Sequence, residues 1–321
     1  MIIIVVLKIK FLYNEVRKWV LMINKVLIKS NYDDLELSVN YVVPKDNIKG
    51  IVFIVHGMSE HKERYSYFLD KIKENNYIAV VYDERGHGKS IKDKNDLGYF
   101  YTDDCMALRE DLYTIINYFQ ERYKLKNSVI FAHSMGTLVV RSFLQKYDDI
   151  PSKVILCGPP TKQKLVDIGL ILAKISNTFQ DSKKINNFLN KLTFSSFNKG
   201  YEIENEWLSK NKENVLEYNN DNLCGFTFTN NGFLILYKLQ KLVFQKNMYL
   251  VKNTNLPIFL IAGSKDPVIG SIKKFKNLEL FLKQIGYKKI TTKLYDDLRH
   301  ELLQEKEKDL IIDDIISFIN S

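Results

Sequence analysis

Short, continuously apolar runs recur along the chain, and each stops at a polar or glycine-containing loop. The first two clear runs cover residues 51–55, ending at His56-Gly57, and residues 77–82, ending at Asp83. A run of β-branched and aromatic residues without polar alternation is typical of a strand buried on both faces of a sheet. The pattern therefore predicts two buried strands with loops at their carboxyl ends.

Segments with helical periodicity separate these runs from the next ones. The predicted helices in the first half of the chain cover 66–75, 102–123 with Thr102 as the N-cap, and a stretch ending at 147; further strands are predicted over 128–132 and 153–157. Strands that alternate with helices indicate a parallel sheet covered by helices on both faces.

From residue 161 to about 253 the alternation stops, and the sequence has the pattern of helices and polar loops. It resumes with a predicted strand over 257–262, a helix over 271–285, a strand over 291–295 and a helix ending at 319. We therefore expect one α/β core, residues 30–160 and 254–321, with a helical cap over 161–253 inserted between two late strands. Such a cap covers the carboxyl ends of the strands, where open α/β sheets bind ligands.

The composition argues against a disordered, a nucleic-acid-binding and a disulfide-bonded protein. Of 321 residues, 45% are hydrophobic and 26% charged, which is a globular composition. The formal net charge is +9, but the lysines are scattered and form no dense basic stripe with interleaved aromatics, so we expect no nucleic-acid partner. The three cysteines are odd in number and far apart, which predicts a reducing, cytoplasmic setting without a disulfide framework.

Neither a metal nor another cofactor is expected. The five histidines offer no His-Glu-x-x-His spacing, and the cysteines form no cluster. No segment reaches the roughly 20 consecutive apolar residues that span a bilayer. The sequence thus predicts a soluble protein, with reversible contact to a membrane surface left open.

The strongest chemical motif is Ala132-His133-Ser134-Met135-Gly136, between a predicted strand and a predicted helix. This is the context of a nucleophile elbow, in which a strained turn exposes the serine hydroxyl. Small residues are needed two positions on either side of the serine, and Ala replaces the usual Gly at the first of them. By itself the motif leaves open a serine that only caps a helix.

Two further residues make the nucleophile reading stronger. Asp266 lies in a loop after the predicted strand 257–262, and His300 follows the predicted strand 291–295. The chain order Ser, Asp, His is that of the triad on this type of sheet. We expect His300 to take the proton of Ser134 and Asp266 to orient and stabilise the imidazole. Backbone N–H groups of Met58 and Met135 are expected to form the oxyanion hole.

Four motifs together resemble the monoacylglycerol lipase and lysophospholipase family of α/β-hydrolases. They are His-Gly-Met-Ser-Glu-His, Arg-Gly-His-Gly-Lys-Ser, His-Ser-Met-Gly and Arg-His-Glu, and residues 221–226 of the cap are also similar to this family. The resemblance runs from about Ser30 to the C-terminus, so residues 1–29 are expected to be an N-terminal extension. It implies a serine esterase or lipase acting on a monoacylglycerol or lysophospholipid through an acyl-serine intermediate.

Other functions remain open from the sequence. On the same fold, the chain could be a short-chain carboxylesterase, a thioesterase, or an amidase or peptidase; from another class, it could be a binding protein without catalysis. The cap stretch 165–175 is too apolar for an ordinary exposed helix and is flanked by Lys164 and Lys174. It either lines an acyl channel and touches a lipid interface or simply packs on the core.

Overall fold

The computed structural model describes residues 23–321 of the chain. Its strands are β1 (Asn24–Lys29), β2 (Glu36–Val42), β3 (Gly50–Val55), β4 (Tyr77–Tyr82), β5 (Ser128–His133), β6 (Lys153–Cys157), β7 (Ile258–Gly263) and β8 (Ile290–Tyr295). They form one sheet in the order β1-β2-β4-β3-β5-β6-β7-β8. Among the strand pairs of residues 23–321, β1–β2 and β2–β4 are antiparallel and the other five are parallel, so the predicted mostly parallel sheet is confirmed.

The helices are α1 (Ser66–Glu74), α2 (Met106–Tyr123), α3 (Met135–Tyr147), α4 (Val166–Phe179), α5 (Asn187–Phe194), α6 (Lys212–Asn220), α7 (Asn230–Leu242), α8 (Ile272–Ile285) and α9 (Lys308–Asn320). Apolar side chains of α1 and α9 pack on one face of the sheet, and those of α2, α3 and α8 pack on the other. Helices α4 to α7 lie between β6 and β7, as expected of the cap. The α/β-hydrolase fold class is thereby confirmed.

Strand β3 shows why its sequence is apolar at every position. Phe53 and Val55 pack into the apolar cluster on one face of the sheet, whereas Val52 and Ile54 pack into the cluster on the other. Successive side chains of a strand point to opposite faces, so a strand covered on both faces needs apolar residues throughout. The carboxyl end of this strand lies in register with Tyr82 of β4 and Ala132 of β5, which brings their loops to one edge.

The predicted helix over 102–123 begins later than expected, and Thr102 is not its N-cap. Helix α2 starts at Met106, while the Thr102 hydroxyl accepts from the backbone N–H of Asp104. The backbone carbonyl of Thr102 instead accepts from the side-chain amide of Asn231 on cap helix α7, 2.8 Å away. A tertiary contact with the cap therefore replaces the first helical turn that periodicity predicted.

The two strands at the antiparallel edge were not predicted. Strand β1 pairs with β2 from Asn24 opposite Tyr41 to Lys29 opposite Glu36. The expected N-terminal extension covers residues 1–29. Its first 22 residues lie outside the described part of the chain, and residues 24–29 form β1 of the sheet. Within residues 23–321, no helix is both long enough and apolar enough to cross a bilayer.

Candidate active site

Ser134 lies at the sharp turn between β5 and α3. Its backbone has φ 49° and ψ −118°, a conformation that a non-glycine residue adopts only when its surroundings enforce it. The Ser134 N–H donates to the carbonyl of Cys157 on β6, at 2.9 Å. At Gly136 a Cβ atom would lie 2.5 Å from the carbonyl oxygens of Val55 and His56, so this position has no room for a side chain. The methyl group of Ala132 is fully buried in the strand and is accommodated.

Asp266 and His300 are paired beside this turn. Asp266 follows β7, His300 follows β8, and Nδ1 of His300 lies 2.9 Å from Oδ2 of Asp266. Because a carboxylate only accepts, Nδ1 of His300 carries a proton. The other oxygen of Asp266 accepts from the N–H of Val268, at 2.8 Å. Both side chains are almost fully buried, which protects the pair from exchange with water.

Ser134 and His300 line the same cavity, but among residues 23–321 no hydrogen bond joins the serine hydroxyl to the histidine ring. Such contacts are often long without substrate and tighten when it binds. The structure therefore brings the three predicted residues to one place and joins two of them directly.

The expected oxyanion donors lie on either side of the serine. Met135 is the first residue of α3, and Met58 lies in the loop after β3. In the part of the chain that the structure describes, neither backbone N–H has a hydrogen-bond partner, and both residues line the cavity. The loop packs tightly on the turn, because a Cβ atom at Gly57 would lie 3.0 Å from Cβ of Ser134. Two free donors thus flank the serine.

The cavity has a volume of about 1020 Å³, and its walls come mostly from the cap. Apolar cap residues at the cavity include Val166, Leu192, Phe194 and Leu236. Trp207 of the cap packs against His300, and their ring centroids are 5.4 Å apart. The cap side of the cavity also carries polar residues, among them Gln163, Asn190 and Ser195, so the cavity is only partly apolar.

Sequence reasoning missed a buried charged cluster next to the triad. Arg64 donates to both carboxylate oxygens of Glu301, at 2.6 and 2.8 Å, and to Glu60, at 2.9 Å. Glu60 in turn lies 2.8 Å from Nδ1 of His133, the residue before the serine. The only sequence signal was that Glu60 and Glu301 fall inside the motifs that contain the predicted site residues.

One side-chain group between the loop after β3, residues 56–61, and the cap has the residue types of a metal site. Ligand atoms of His61, Asp221 and Cys224 lie within 4.8 Å of one another. However, the His61 ring already lies 2.8 Å from both Asp221 and Glu63, and their carboxylates raise its pKa against the opposing effect of burial. Burial also raises the pKa of the Cys224 thiol, which favours the form that does not bind metal. We interpret the group as an ion pair between loop and cap.

Several known proteins are similar to this chain. The sequence profile of the family described as serine aminopeptidase, S33, matches residues 46–307. A monoacylglycerol lipase of Mycolicibacterium smegmatis is 24% identical over 291 residues, which covers 87% of this chain and 90% of that protein. The monoglyceride lipase of Rattus norvegicus is 25% identical over 280 residues, covering 86% of this chain and 83% of the relative.

Solved structures support the fold. A thermostable carboxyl esterase from Bacillus coagulans superposes with a TM-score of 0.85 at 24% identity, covering 93% of this chain and 98% of that one. A monoacylglycerol lipase of Paleococcus ferrophilus superposes with a TM-score of 0.68 at 19% identity, covering 88% and 98% of the two chains.

Proposed function

The chain belongs to the serine aminopeptidase S33 family and is a hydrolase of the monoacylglycerol lipase type, and from that premise we propose that it hydrolyses single-chain acyl esters. The proposed substrate is a monoacylglycerol or a lysophospholipid. One observation carries the proposal: a strained Ser134, the His300 ring held by Asp266, and two backbone N–H groups without a partner among residues 23–321 lie at one large, partly apolar cavity.

In the proposed mechanism, Oγ of Ser134 attacks the ester carbonyl while Nε2 of His300 takes the hydroxyl proton. Asp266 stabilises the imidazolium through Nδ1, and the N–H groups of Met58 and Met135 bind the oxyanion. His300 then gives its proton to the departing alcohol, which leaves an acyl ester on Ser134. Water attacks this ester with His300 again as base, and the carboxylic acid departs as Ser134 regains its proton.

The cap supports an acyl substrate through its size and chemistry. A cavity of about 1020 Å³ lies near the upper end of the roughly 300–1,000 Å³ range of small-molecule sites, so it has room for a long chain. Two of the relatives are named monoacylglycerol lipase and monoglyceride lipase, and both names denote the hydrolysis of single-chain glycerol esters. A short-chain carboxylesterase would not need this volume.

The outer face of the cap supports contact with a lipid surface. Helix α4 buries Val166, Leu170 and Ala173, while the opposite side leaves Ile168 and Ile171 more than half exposed. Phe179 at its end and Phe188 on α5 are also exposed, and lysines flank the apolar residues. Such an apolar face with cationic edges is typical of interfacial binding, so we propose that the cap docks on membranes reversibly.

The test is hydrolysis of monoacylglycerols and p-nitrophenyl esters of increasing chain length, and of lysophospholipids, by the wild type and by Ser134→Ala. Ser142→Ala is the matched control, because Ser142 is buried on α3, the helix that follows Ser134, and its hydroxyl has no partner among the described residues. We expect rates that rise with chain length, loss of activity in Ser134→Ala, and normal activity in Ser142→Ala. Preference for the shortest esters would favour a carboxylesterase, and activity that survives in Ser134→Ala would overturn the mechanism.

A further inference from the structure

Four charged side chains, three of them buried and Arg64 with 10% of its side chain exposed, connect the three loops of the candidate site. Glu60 belongs to the loop that carries Met58, His133 precedes the nucleophile, and Glu301 follows His300. Arg64 lies between the two glutamates and bonds to both. Glu60, His133 and Glu301 are each no more than 6% exposed. Charges this deeply buried are retained only when they are paired and hydrogen-bonded.

His133 is bonded in a way that fixes its protonation state. Nδ1 lies 2.8 Å from a carboxylate oxygen of Glu60, and Nε2 lies 3.3 Å from the backbone carbonyl of His300. Both partners can only accept a hydrogen bond. A neutral imidazole has one donor and one acceptor nitrogen and would leave one contact unmade, whereas the imidazolium donates to both. The contacts therefore call for His133 in its doubly protonated form.

The charges around His133 favour that form. Burial alone would lower the pKa of His133, but the charge of Glu60 and its hydrogen bond outweigh burial and raise the pKa. Burial would likewise raise the pKa of Glu60, yet His133 and Arg64 hold it well below its ordinary value. Two carboxylates and two cations then balance. The titratable groups that face His133 are Glu60, Arg64, Tyr65, Cys157, His300 and Glu301.

The Glu60 and His133 side chains also contact the backbone of other active-site loops. Glu60 also accepts from the N–H of Gly57, at 2.6 Å, immediately before the expected oxyanion donor Met58. His133 directly precedes Ser134 in the chain, and its ring also contacts the backbone carbonyl of His300. Glu60 and His133 thus set the relative positions of the loop after β3, the turn at Ser134 and the His300 backbone.

We propose that Glu60 and His133 are positioning residues for the reaction: His133 is a permanent imidazolium that donates to Glu60 and to the His300 carbonyl and holds the three active-site loops in register. The inference rests on the proposed ester hydrolysis for its kinetic consequences. Its structural part, the protonation state of His133, is independent of any substrate.

The direct test is NMR of ¹⁵N-histidine-labelled protein, with the His133 signals assigned by comparison with His133→Gln. At about pH 8, above the ordinary histidine pKa of about 6.5, we expect both ring nitrogens of His133 to carry protons. In Glu60→Gln the counter-charge is lost, and the ring should become neutral at the same pH. A neutral His133 in the wild type would overturn the proposal, whether or not any ester is hydrolysed.

The kinetic test compares Glu60→Gln with Glu63→Gln. Glu63 is the matched control, because it also binds a histidine, His61, but contacts none of the three active-site loop positions Gly57, His133 and His300. Since a misplacement of about 1 Å can cost on the order of 100-fold in rate, we expect Glu60→Gln to lower kcat about 10- to 100-fold with KM changed less than about threefold. Glu63→Gln should stay within about twofold of the wild type.

A pH series separates positioning from simple loss of structure. In Glu60→Gln, burial no longer opposed by the Glu60 charge lowers the pKa of His133, so the second proton returns only at acid pH, and the ratio of variant to wild-type kcat should rise as pH falls from about 8 to about 5. The ratio cancels the protonation of His300, which affects both proteins. A ratio that does not change with pH, or an equal loss in Glu63→Gln, would contradict the proposal. An inactive wild type would instead defeat the proposed function and leave the NMR result to decide on His133.

Discussion

The sheet and the cap use the same residue types in opposite ways. Strand β3 reads Gly-Ile-Val-Phe-Ile-Val, and every one of its residues is buried. Helix α4 is as rich in isoleucine and leucine, yet Ile168, Ile171 and Ile175 remain 51–58% exposed. In the sheet, apolar residues are accounted for by packing on both faces. In the cap, packing among residues 23–321 accounts for one side of the helix only, and the other side has no partner in that part of the chain.

This difference separates the parts of the molecule that stabilise the fold from those that face substrate and surroundings. Burying a large aliphatic side chain contributes roughly 1.5–3 kcal/mol, so the sheet gains from every apolar position. The exposed isoleucines of α4 contribute little of this kind. Substitutions in the two regions should therefore have different consequences.

The largest effect should come from the sheet edge, with Asp266→Asn. The amide cannot hold Nδ1–H of His300 in the required tautomer, and kcat should fall by about 10⁴-fold. The measurement is steady-state hydrolysis of a p-nitrophenyl ester. The matched control is Asp297→Asn in the exposed loop after β8, where asparagine tolerates the φ of 58°. Equal losses in the two variants would mean that Asp266 has no special role.

The next effect concerns stability. Phe53→Ala on β3 removes a fully buried ring, and the free energy of unfolding should fall by about 3–5 kcal/mol. Ile171→Ala on α4 removes an exposed side chain and should change it by no more than about 0.5 kcal/mol. Denaturant unfolding followed by circular dichroism measures both. A comparable loss in Ile171→Ala would show that the cap depends on its outer face for folding.

Acid should weaken the sheet region through His56 and His87, because burial lowers the pKa of both rings. Burial lowers the pKa of His87 to about 3, so the folded state keeps this ring neutral. The unfolded state binds a proton below about pH 6.5, so the stability from the neutral ring is complete above that pH and declines as pH falls toward 3. For one histidine the slope approaches about 1.4 kcal/mol per pH unit.

The variant His87→Phe tests this pH dependence. Phenylalanine suits a site where the His87 ring packs edge-on against Phe100 and Phe228. Between pH 6.5 and 4, its free energy of unfolding should fall less steeply than that of the wild type. Parallel pH profiles for the two proteins would contradict the assignment of a neutral buried His87.

The smallest effect should come from the outer face of the cap. In Ile168→Ser/Ile171→Ser, affinity for phospholipid vesicles should fall about fivefold or more, since each partly inserted isoleucine contributes on the order of 1 kcal/mol. Stability and hydrolysis of a short ester in solution should not change. The control is Leu310→Ser on α9, where Leu310 is 59% exposed away from the cap. Equal vesicle binding by the wild type, the double variant and Leu310→Ser would contradict the membrane proposal.

The sequence predicted strands best where both faces of the sheet are covered. The predicted strands over 77–82 and 153–157 have the same bounds as β4 and β6, because burial on two faces makes these runs apolar apart from Lys153 at the start of β6. The edge strand β1, Asn-Lys-Val-Leu-Ile-Lys, is half polar and short, so periodicity did not reveal it. Its pairing partner β2 was missed with it.

The candidate site was predictable where the local sequence shapes the chain, as at the turn around Ser134. The charged cluster was not, because Arg64 and Glu301 are 237 residues apart and their contact exists only in the folded chain. The same holds for Trp207, which reaches His300 from the cap. Contacts of this kind depend on the tertiary packing of loops and leave no periodic signal.

The most direct test of the account is covalent labelling with a fluorophosphonate, followed by mass spectrometry of the intact protein and of its peptides. The account predicts one label per chain, located on Ser134, with labelling much slower in His300→Gln because the hydroxyl then lacks its base. An unlabelled wild type, or a label on another residue at a rate independent of His300, would contradict the claim that Ser134 is an activated nucleophile.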